Sequence, residues 1–424
     1  MDKELYKPRL VDKQVKLELE AFGAVCIEGA KWCGKTWTSG YHSKSAIYLG
    51  DPSRNFQNRE LAKLEPTTVL EGEVPRLIDE WQEVPSIWDA VRHEVDRRGK
   101  KGQFILTGSS TPKQKGILHS GAGRISTIRM RPMSLFESND SSGQVSLTSL
   151  FDGTFKAVAT GNIDLETLIK LTIRGGWPES LGLDYEKFRL LPKEYIKSII
   201  NHDIYRLEGI NRDSAKMHLL LKSLARNEST TASIATLKKD ISDFDNDTLD
   251  NDTISTYLST FERLFLIENQ KAFSSNIRSS TRIKQSEKRH FVDPSLAIAI
   301  LEASYEDLLN DLHTFGFMFE ALCVRDLRIY AESLEAQLYH YQDYKEREID
   351  AVVKLRDGRF GAFEIKLGAD AIEKAAQSLI KIRDDLKAEG TRIPDILVVI
   401  CGLSNFAYQR EDGVYVVPIT ALRP

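Results

Sequence analysis

Cysteine is scarce in this sequence, and the few that occur form no recognisable pattern. The 424 residues include four cysteines, none of which forms a C-x-x-C pair or stands at a histidine spacing that could close a zinc site. A disulfide framework is excluded for the same reason, so reduced thiols are expected. The four are Cys26, Cys33, Cys323 and Cys401.

Long apolar runs and an apolar leader are also missing. No window approaches ~18 uninterrupted apolar residues, the length that a membrane-spanning helix requires. The chain opens with the charged stretch Met1-Asp-Lys-Glu-Leu5 rather than with the apolar core of a signal peptide. We therefore expect a cytoplasmic protein that has no membrane partner.

Neither sign of charge dominates. The chain has 58 Lys and Arg residues against 62 Asp and Glu residues, and its formal net charge is -4. This balance gives no overall cationic footprint, so any contact with DNA must come from a local patch. Hydrophobic residues at 41% and charged residues at 28% are typical of a folded soluble protein. At this length two or three domains are expected.

Apolar runs and helical periodicity divide the chain into three predicted domains. In residues 1–140 short apolar runs alternate with helical stretches, which predicts an α/β domain with a covered parallel sheet. Residues 160–300 carry helical spacing, and the order of elements from Met217 to Phe273 is typical of a winged helix-turn-helix. Residues 305–424 return to mixed α/β. The polar segment Glu137–Gly153 is interpreted as the first domain boundary.

A phosphate-binding motif follows the first apolar run. Residues 29–36 match G-x-x-x-x-G-K-[ST] in full, after the run Ala24–Ile27 and before a predicted helix. The glycines let backbone N–H groups face the phosphates, Lys35 neutralises the β- and γ-phosphates, and Thr36 coordinates Mg²⁺. We therefore predict an ATP and Mg²⁺ site. Its residues are Gly29, Ala30, Lys31, Trp32, Cys33, Gly34, Lys35, Thr36 and the following Trp37.

Three later segments supply candidate catalytic groups. The run Arg76-Leu-Ile-Asp-Glu predicts a strand that ends in Asp79 as a metal ligand and Glu80 as the base that activates water. The next apolar strand ends at Ser109, whose hydroxyl is a candidate contact for the γ-phosphate or the attacking water. Arg124 is a candidate arginine finger, either in its own subunit or in a neighbouring copy of a homo-oligomer. A plain surface arginine is the alternative.

The C-terminal domain carries a second set of charged residues at defined strand and helix positions. Glu320 falls on an amphipathic helix, Asp350 begins a strand, and Glu364 and Lys366 end the next strand on one face. Converging carboxylates can bind Mg²⁺ or Mn²⁺, and a lysine beside them can stabilise developing charge in phosphodiester hydrolysis. We predict Glu320, Asp350 and Glu364 as metal ligands and Lys366 as a catalytic group. The alternative for Asp350 is a turn cap.

The motifs of the first two domains resemble those of bacterial and archaeal AAA-type ATPases whose AAA domain precedes a DUF4143 region. The similarity covers nearly the whole chain. The segments that carry it are residues 29–36, 77–83, 105–110, 123–124 and 174–179, the last reading Arg-Gly-Gly-Trp-Pro-Glu. The resemblance implies an ASCE-type sheet with Glu80 as the water-activating base, and a winged-helix middle.

The C-terminal order of helix, three strands and helix resembles the PD-(D/E)xK nuclease superfamily. Glu320, Asp350 and the Glu364-Ile-Lys366 run stand where that superfamily carries its acidic residues and its lysine. Gln377, on the following helix, falls where related enzymes carry a supporting glutamine. Ile349 replaces the proline of the family name, a position that varies and is not a metal ligand. The resemblance implies a metal-binding fold that acts on DNA.

The expected function is an ATPase whose nucleotide state controls the winged-helix and nuclease-like domains on DNA. A signalling or assembly ATPase that uses those domains only for protein contacts is the first alternative. A nucleotide-binding module without hydrolysis is the second. Glu80 directly after Asp79 favours hydrolysis over this last reading.

Overall fold

The computed structural model describes residues 3–111, 118–204, 213–244, 249–274, 286–343 and 347–424. Two large sheets and their covering helices make up most of these ranges. Helices α1 to α16 are, in order, Asp12–Ala21, Lys35–His42, Ser53–Leu64, Pro66–Val69, Ser86–Arg98, Leu147–Phe151, Leu165–Arg174, Tyr185–Phe188, Leu190–Ser198, Ser214–Arg226, Ile234–Phe244, Asn251–Arg263, Pro294–Ile300, Tyr305–Asn310, Leu312–Ser333 and Ile372–Ala388. Strands β1 to β14 are Ala24–Gly29, Ser45–Tyr48, Arg76–Asp79, Phe104–Gly108, Ile125–Met130, Val145–Ser146, Val158–Ala159, Gln337–Gln342, Glu348–Lys354, Phe360–Lys366, Ile396–Cys401, Phe406–Gln409, Tyr415–Pro418 and Leu422–Arg423.

The N-terminal sheet consists, within the described ranges, of five parallel strands in the order β2-β3-β4-β1-β5. Side chains of β1 alternate between two buried faces, with Val25 and Ile27 on one and Ala24 and Cys26 on the other. Burial on both faces explains why this strand is a continuous apolar run. The prediction of an α/β domain with a parallel sheet is confirmed. The carboxyl ends of β1, β3 and β4 meet at one edge, where ligands bind in such sheets.

The middle of the chain is helical. Helices α10, α11 and α12 are followed by an antiparallel pairing in which Ile267 bridges Phe291 and Gln270 bridges Lys288. We call residues 266–274 and 286–292 the hairpin. Three helices followed by a hairpin is the order that a winged helix needs, and that assignment stays a prediction. Residues 245–248, between α11 and α12, lie outside the described residues.

The C-terminal sheet contains seven strands among the residues that the structure describes, in the order β7-β12-β13-β11-β10-β9-β8. Strands β8, β9 and β10 pair antiparallel, whereas β10, β11 and β13 run parallel. The two helices α15 and α16 cover opposite faces, because Ala351 and Phe363 pack with α15 while Val352 and Ala362 pack with α16. The expected succession of helix, three strands, helix and strand is present. Strands β12 and β13 were not anticipated.

The segment interpreted as a domain boundary is tied to the C-terminal end of the chain. Strand β6, inside Glu137–Gly153, pairs in parallel with β14, and β7 pairs with β12 at the edge of the C-terminal sheet. Its many polar and glycine residues therefore reflect tight turns rather than a free linker.

Arg131 directly follows β5 and joins the N-terminal sheet to both later regions. Its guanidinium is buried and donates to Glu268 Oε2 at 2.7 Å, to Glu268 Oε1 at 2.6 Å and to Glu332 Oε1 at 2.8 Å. Glu268 belongs to the hairpin and Glu332 to α15. Burial alone would raise the pKa of Glu268, but the charges of Arg131 and Arg328 hold it well below its usual value.

We predict that Arg131→Met strongly destabilises the protein. The substitution removes the two-point contact of Glu268 and leaves it with Arg328 at 3.2 Å and the charge of Arg129, and breaking an ion pair of a buried arginine costs about 3 kcal/mol. Urea unfolding followed by far-UV circular dichroism measures the loss. Arg124→Met is the matched control, because Arg124 pairs with Asp96 on the exposed surface. Equal urea midpoints for wild type and Arg131→Met would contradict this role of Arg131.

Candidate functional site

The loop between β1 and α2 has the backbone that its glycines predict. A Cβ atom on Gly29 would lie 1.9 Å from the carbonyl oxygen of Met130, so no side chain fits there. Gly34 caps α2 with a left-handed φ of 103°, and Trp32 is also left-handed at 62°. The loop therefore wraps closely around the start of α2 with its N–H groups free of side-chain bulk, as a phosphate cradle requires.

Lys35, Thr36 and Asp79 come together at the edge of the sheet. The buried Lys35 ammonium donates to the carbonyl oxygen of Ala30 at 2.8 Å, and Thr36 Oγ1 donates to Asp79 Oδ1 at 3.0 Å. Burial raises the pKa of Asp79, and hydrogen bonds from Thr107 and Thr36 partly offset that rise. A hydroxyl and a carboxylate oxygen in contact beside a lysine are the ligand types that Mg²⁺ shares with a bound nucleotide. These residues fit a magnesium-nucleotide site.

Glu80 is held in a defined position next to that pair. Its backbone adopts a left-handed φ of 58°, and its N–H donates to Thr107 Oγ1 at 2.9 Å. The carboxylate accepts a hydrogen bond from Ser109 Oγ at 3.0 Å and one from the Gln82 side-chain amide. Gln82 also donates to Ser109 Oγ at 3.2 Å, which closes the network. Two neutral donors thus orient the carboxylate without neutralising it.

Sequence reasoning missed the parts of this network played by Thr107 and Gln82. Both lie inside the motifs that carry the family resemblance, but only their place on the sheet shows what they do. Thr107 donates to Asp79 Oδ1 at 2.7 Å while accepting from Glu80, so one hydroxyl sets the spacing of both acids. A threonine at the end of a buried strand is the signal that could have pointed to this role.

A cavity of about 630 Å³ opens in front of the loop. Its walls come from the N-terminal segment around Tyr6, from the loop and α2, from Glu80, and from Pro178 and Glu179 of the Gly-Gly-Trp-Pro segment. Of the predicted nucleotide-binding residues, six line it, namely Lys31, Trp32, Gly34, Lys35, Thr36 and Trp37. Gly29, Ala30 and Cys33 lie behind them, the last two fully buried.

Arg9 is a residue of this site that no sequence pattern indicated. Its buried guanidinium donates to the carbonyl of Cys33 at 2.7 Å and to the carbonyl of Arg131 at 2.8 Å. Glu137 neutralises it through a contact of 3.0 Å to Nε. Arg9 therefore fastens the phosphate loop to the residue that anchors the other two regions.

The structure corrects the expectation for Arg124 within one subunit. Arg124 precedes β5, and the pairing of Ala24 with Ile125 puts it at the amino end of the sheet. The phosphate loop begins at the opposite end, about 16 Å away along the strand. Arg124 instead forms an exposed ion pair with Asp96 at 2.8 Å. Action in its own subunit is therefore wrong, and action in a neighbouring copy stays a prediction.

The predicted C-terminal residues converge at the edge of β9 and β10. Lys366 Nζ lies 2.8 Å from Glu364 Oε2 and 3.4 Å from Asp350 Oδ2. Asp350 Oδ2 also accepts the Ile365 N–H at 2.8 Å, and Glu320 approaches from α15. Gln377 does not take part, since it is exposed and donates to Glu373 on its own helix.

Lys288, which sequence reasoning missed, occupies the centre of these carboxylates. Its ammonium lies 2.6 Å from Glu320 Oε1, 2.7 Å from Glu348 Oε1 and 3.7 Å from Asp350 Oδ1, and the residue is only 2% exposed. We call Glu320, Glu348, Asp350 and Glu364 the carboxylate cluster.

Burial and mutual repulsion shift the pKa values within the carboxylate cluster. Burial and the charge of Asp350 raise the pKa of Glu320 and of Glu364 to about 8. Burial would also raise the pKa of Asp350, but Lys288 and Lys366 lower it. Carboxylates are the right ligands for Mg²⁺ or Mn²⁺, yet here they surround ammonium groups. In the described part of the chain, no group of three or more His, Cys, Asp and Glu side chains is arranged to hold a metal ion.

The first site is that of a P-loop nucleotide-binding protein of the ATPase class, and family comparisons extend this. An AAA domain model matches residues 21–139, a model of a domain of unknown function (DUF8612) matches 165–307, and one of a domain of unknown function (DUF4143) matches 315–422. The resemblance to AAA-type ATPases with a DUF4143 region is thereby confirmed. The AAA domain supports ATP binding.

Comparison with individual proteins adds little to this. None of the curated proteins matches the chain. Among solved structures, the Walker-type ATPase paby2304 of Pyrococcus abyssi is similar at 13% identity and a TM-score of 0.42, covering 68% of this chain and 94% of that one. Drosophila ORC bound to DNA is similar at 10% identity and a TM-score of 0.18, covering 71% of this chain and 84% of that one. The Hef helicase domain of Pyrococcus furiosus is similar at 11% identity and a TM-score of 0.21, covering 95% of this chain and 87% of that one. TM-scores this low carry no functional argument.

None of the described helices combines the length and apolar character that crossing a bilayer requires.

We predict that Asp79→Asn removes the dependence of nucleotide affinity on Mg²⁺. The substitution keeps the shape of the side chain but takes away the charge that faces the metal beside Thr36. The affinity for ATP in the presence of Mg²⁺ should fall about 10- to 100-fold, while the affinity in EDTA stays unchanged. Titration with a fluorescent ATP analogue measures both. Asp96→Asn, on helix α5, is the control and should bind ATP as the wild type does. An unaltered Mg²⁺ dependence of ATP affinity in Asp79→Asn would refute the assignment of Asp79 as a metal ligand.

Proposed function

We propose that the N-terminal domain binds ATP with Mg²⁺ and hydrolyses it. The observation that carries the proposal is the contact of 3.0 Å between the Thr36 hydroxyl and the Asp79 carboxylate, with Glu80 directly beside it. Lys35 supplies the charge that neutralises the β- and γ-phosphates. When bound, Mg²⁺ neutralises charge on the phosphates, and Thr36 and Asp79 are the residues that hold it.

Glu80 takes the role of the base that accepts a proton from the attacking water. Its carboxylate faces the cavity and is oriented by Ser109 and Gln82, both of which donate to Oε2. Because both contacts are made to Oε2, the other carboxylate oxygen of Glu80 can accept a hydrogen bond from water. Ser109 is thus a positioning residue for the base in this mechanism, rather than a direct ligand of the γ-phosphate.

Trp32 and Trp37 supply aromatic surface for the base of the nucleotide. They are 47% and 39% exposed beside the cavity, which is unusual for tryptophan in a folded domain. Flat aromatic side chains next to a phosphate cradle suit the stacking of an adenine ring. Pro178 completes the wall from the middle region, so a bound nucleotide would contact two regions of the chain.

In this proposal, Arg9 and Arg131 transmit a change in the nucleotide-bound state of the phosphate loop to the C-terminal region. Arg9 connects the Cys33 carbonyl of the phosphate loop to the Arg131 carbonyl, and Arg131 holds Glu268 and Glu332. The two hydrogen bonds of Arg9 are buried, and Arg131 is a buried cation paired with two carboxylates, so a shift of the loop disturbs these contacts at a cost. The hairpin and α15 are the elements that would respond.

Substituting Glu80 separates hydrolysis from binding. Glu80→Gln keeps the size and the hydrogen-bonding partners but cannot accept the proton, so phosphate release should fall about 10²- to 10⁴-fold while ATP still binds. Glu83→Gln is the matched control, since Glu83 lies one turn further on and pairs with Arg59 at 2.8 Å. Phosphate release at the wild-type rate in Glu80→Gln would sink the hydrolytic assignment and leave a nucleotide-binding module.

DNA is the proposed ligand of the winged-helix and nuclease-like regions. The support is the convergence of Asp350, Glu364 and Lys366 at one sheet edge and the order of three helices and a hairpin before it. The signalling or assembly ATPase is the second candidate, and the specific observation in its favour is Lys288 inside the carboxylate cluster.

Phosphate release measured with and without linear, circular and branched DNA discriminates between these two functions. A DNA-responsive ATPase should be stimulated by at least one of these forms, and Lys35→Ala should abolish both the basal and the stimulated rates. A rate indifferent to every DNA form would favour the protein-binding ATPase.

A further inference from the structure

The ammonium of Lys288 is enclosed by carboxylates on the inside of the protein. Three acids lie within 3.7 Å of it, and solvent reaches almost none of the side chain. The contacts with Glu320 and Glu348 are ion pairs at hydrogen-bond distance, so Lys288 supplies the positive charge at this place.

The backbone of Lys288 is fixed on both sides. Lys288 and Gln270 exchange two hydrogen bonds across the hairpin, of 2.9 and 2.8 Å. The Gln270 amide in turn donates to the carbonyls of Tyr339 and Asp350, at 2.8 and 3.1 Å. These hydrogen bonds attach the hairpin to β8 and β9. The backbone of Lys288 therefore has a fixed position beside the carboxylate cluster.

An ammonium group and a divalent ion compete for such a position. Mg²⁺ requires carboxylate oxygens at about 2.0–2.1 Å in octahedral order, whereas the oxygens here stand at hydrogen-bond distance around a nitrogen. Both cations cannot share the space between Glu320 and Asp350. Lys366 differs, because it approaches from the rim and is one-third exposed.

We propose that Lys288 is the built-in cation of the carboxylate cluster and that it excludes a divalent metal ion from it. The lysine comes from the middle region, whereas the four acids come from α15, β9 and β10. The C-terminal site is therefore closed by another part of the same chain. This inference concerns the second site and is independent of ATP hydrolysis at the first.

Titration with Mn²⁺ followed by electron paramagnetic resonance tests this in the full chain without nucleotide. Lys288→Met should gain one Mn²⁺ site per chain, at least about tenfold tighter than any site in wild type. The gain should vanish in Lys288→Met combined with Asp350→Asn. Lys366→Met is the matched control, because it removes the same charge but leaves Lys288 in the centre, so it should gain no site.

Two results would overturn the proposal. One is a Mn²⁺ site in the wild-type protein that Asp350→Asn abolishes, since the cluster would then accept metal with Lys288 present. The other is a folded Lys288 variant that binds no Mn²⁺. Far-UV circular dichroism checks that each variant is folded. If Lys288→Met does not fold, Mn²⁺ binding is measured instead in Lys288→Gln, which keeps a hydrogen-bond donor toward Glu320. Mn²⁺ should also raise the melting temperature of the Lys288 variant but not of wild type.

Discussion

The ion pairs of Arg131 hold the three parts of the chain together. Its guanidinium is buried where β5 ends, and it binds one carboxylate from the hairpin and one from α15. A buried arginine requires charged partners in good geometry, because an unpaired charge in this position would be costly. The hairpin and α15 are therefore held in fixed positions relative to the N-terminal sheet. Through Arg9, the same point is connected to the phosphate loop.

The two candidate sites differ in how their charges are balanced. In the phosphate loop, Lys35 donates to a neutral carbonyl and Asp79 accepts from two hydroxyls, and neither forms a direct ion pair among the described residues. Such a site gains most from a ligand that carries both phosphate and a metal ion. In the carboxylate cluster, Lys288 and Lys366 already supply cations. The first site is therefore suited to a charged ligand, whereas the second already contains two ammonium groups.

Predictions made from contiguous residues agree with the structure. The phosphate loop is one uninterrupted motif, and β1, β3 and β4 follow from apolar runs with turn residues at their ends. Helix α16, the second helix of the expected C-terminal order, is found at Ile372–Ala388. In each case the signal lies within one short continuous stretch of the chain, where periodicity and turn chemistry determine the backbone.

Contacts between distant residues could not be predicted. Thr107 meets Asp79 across 28 positions, Lys288 meets Glu320 across 32, and Arg9 meets Glu137 across 128. The residues around each of these side chains form no pattern that indicates its partner, because the two come into contact only in the folded chain. Arg124 shows the reverse case: it was a candidate arginine finger, but the parallel register puts it at the amino end of the sheet, away from the phosphate loop of its own subunit.

Hydrogen exchange measured by mass spectrometry, with and without Mg²⁺ and a non-hydrolysable ATP analogue, tests most directly whether nucleotide binding reaches the C-terminal region. We expect altered exchange at residues 29–36 and also at 131–133 and 266–274 in the wild-type protein. In Arg131→Met the change should remain at 29–36 and disappear from 266–274. A change confined to the phosphate loop in the wild-type protein would contradict the coupling.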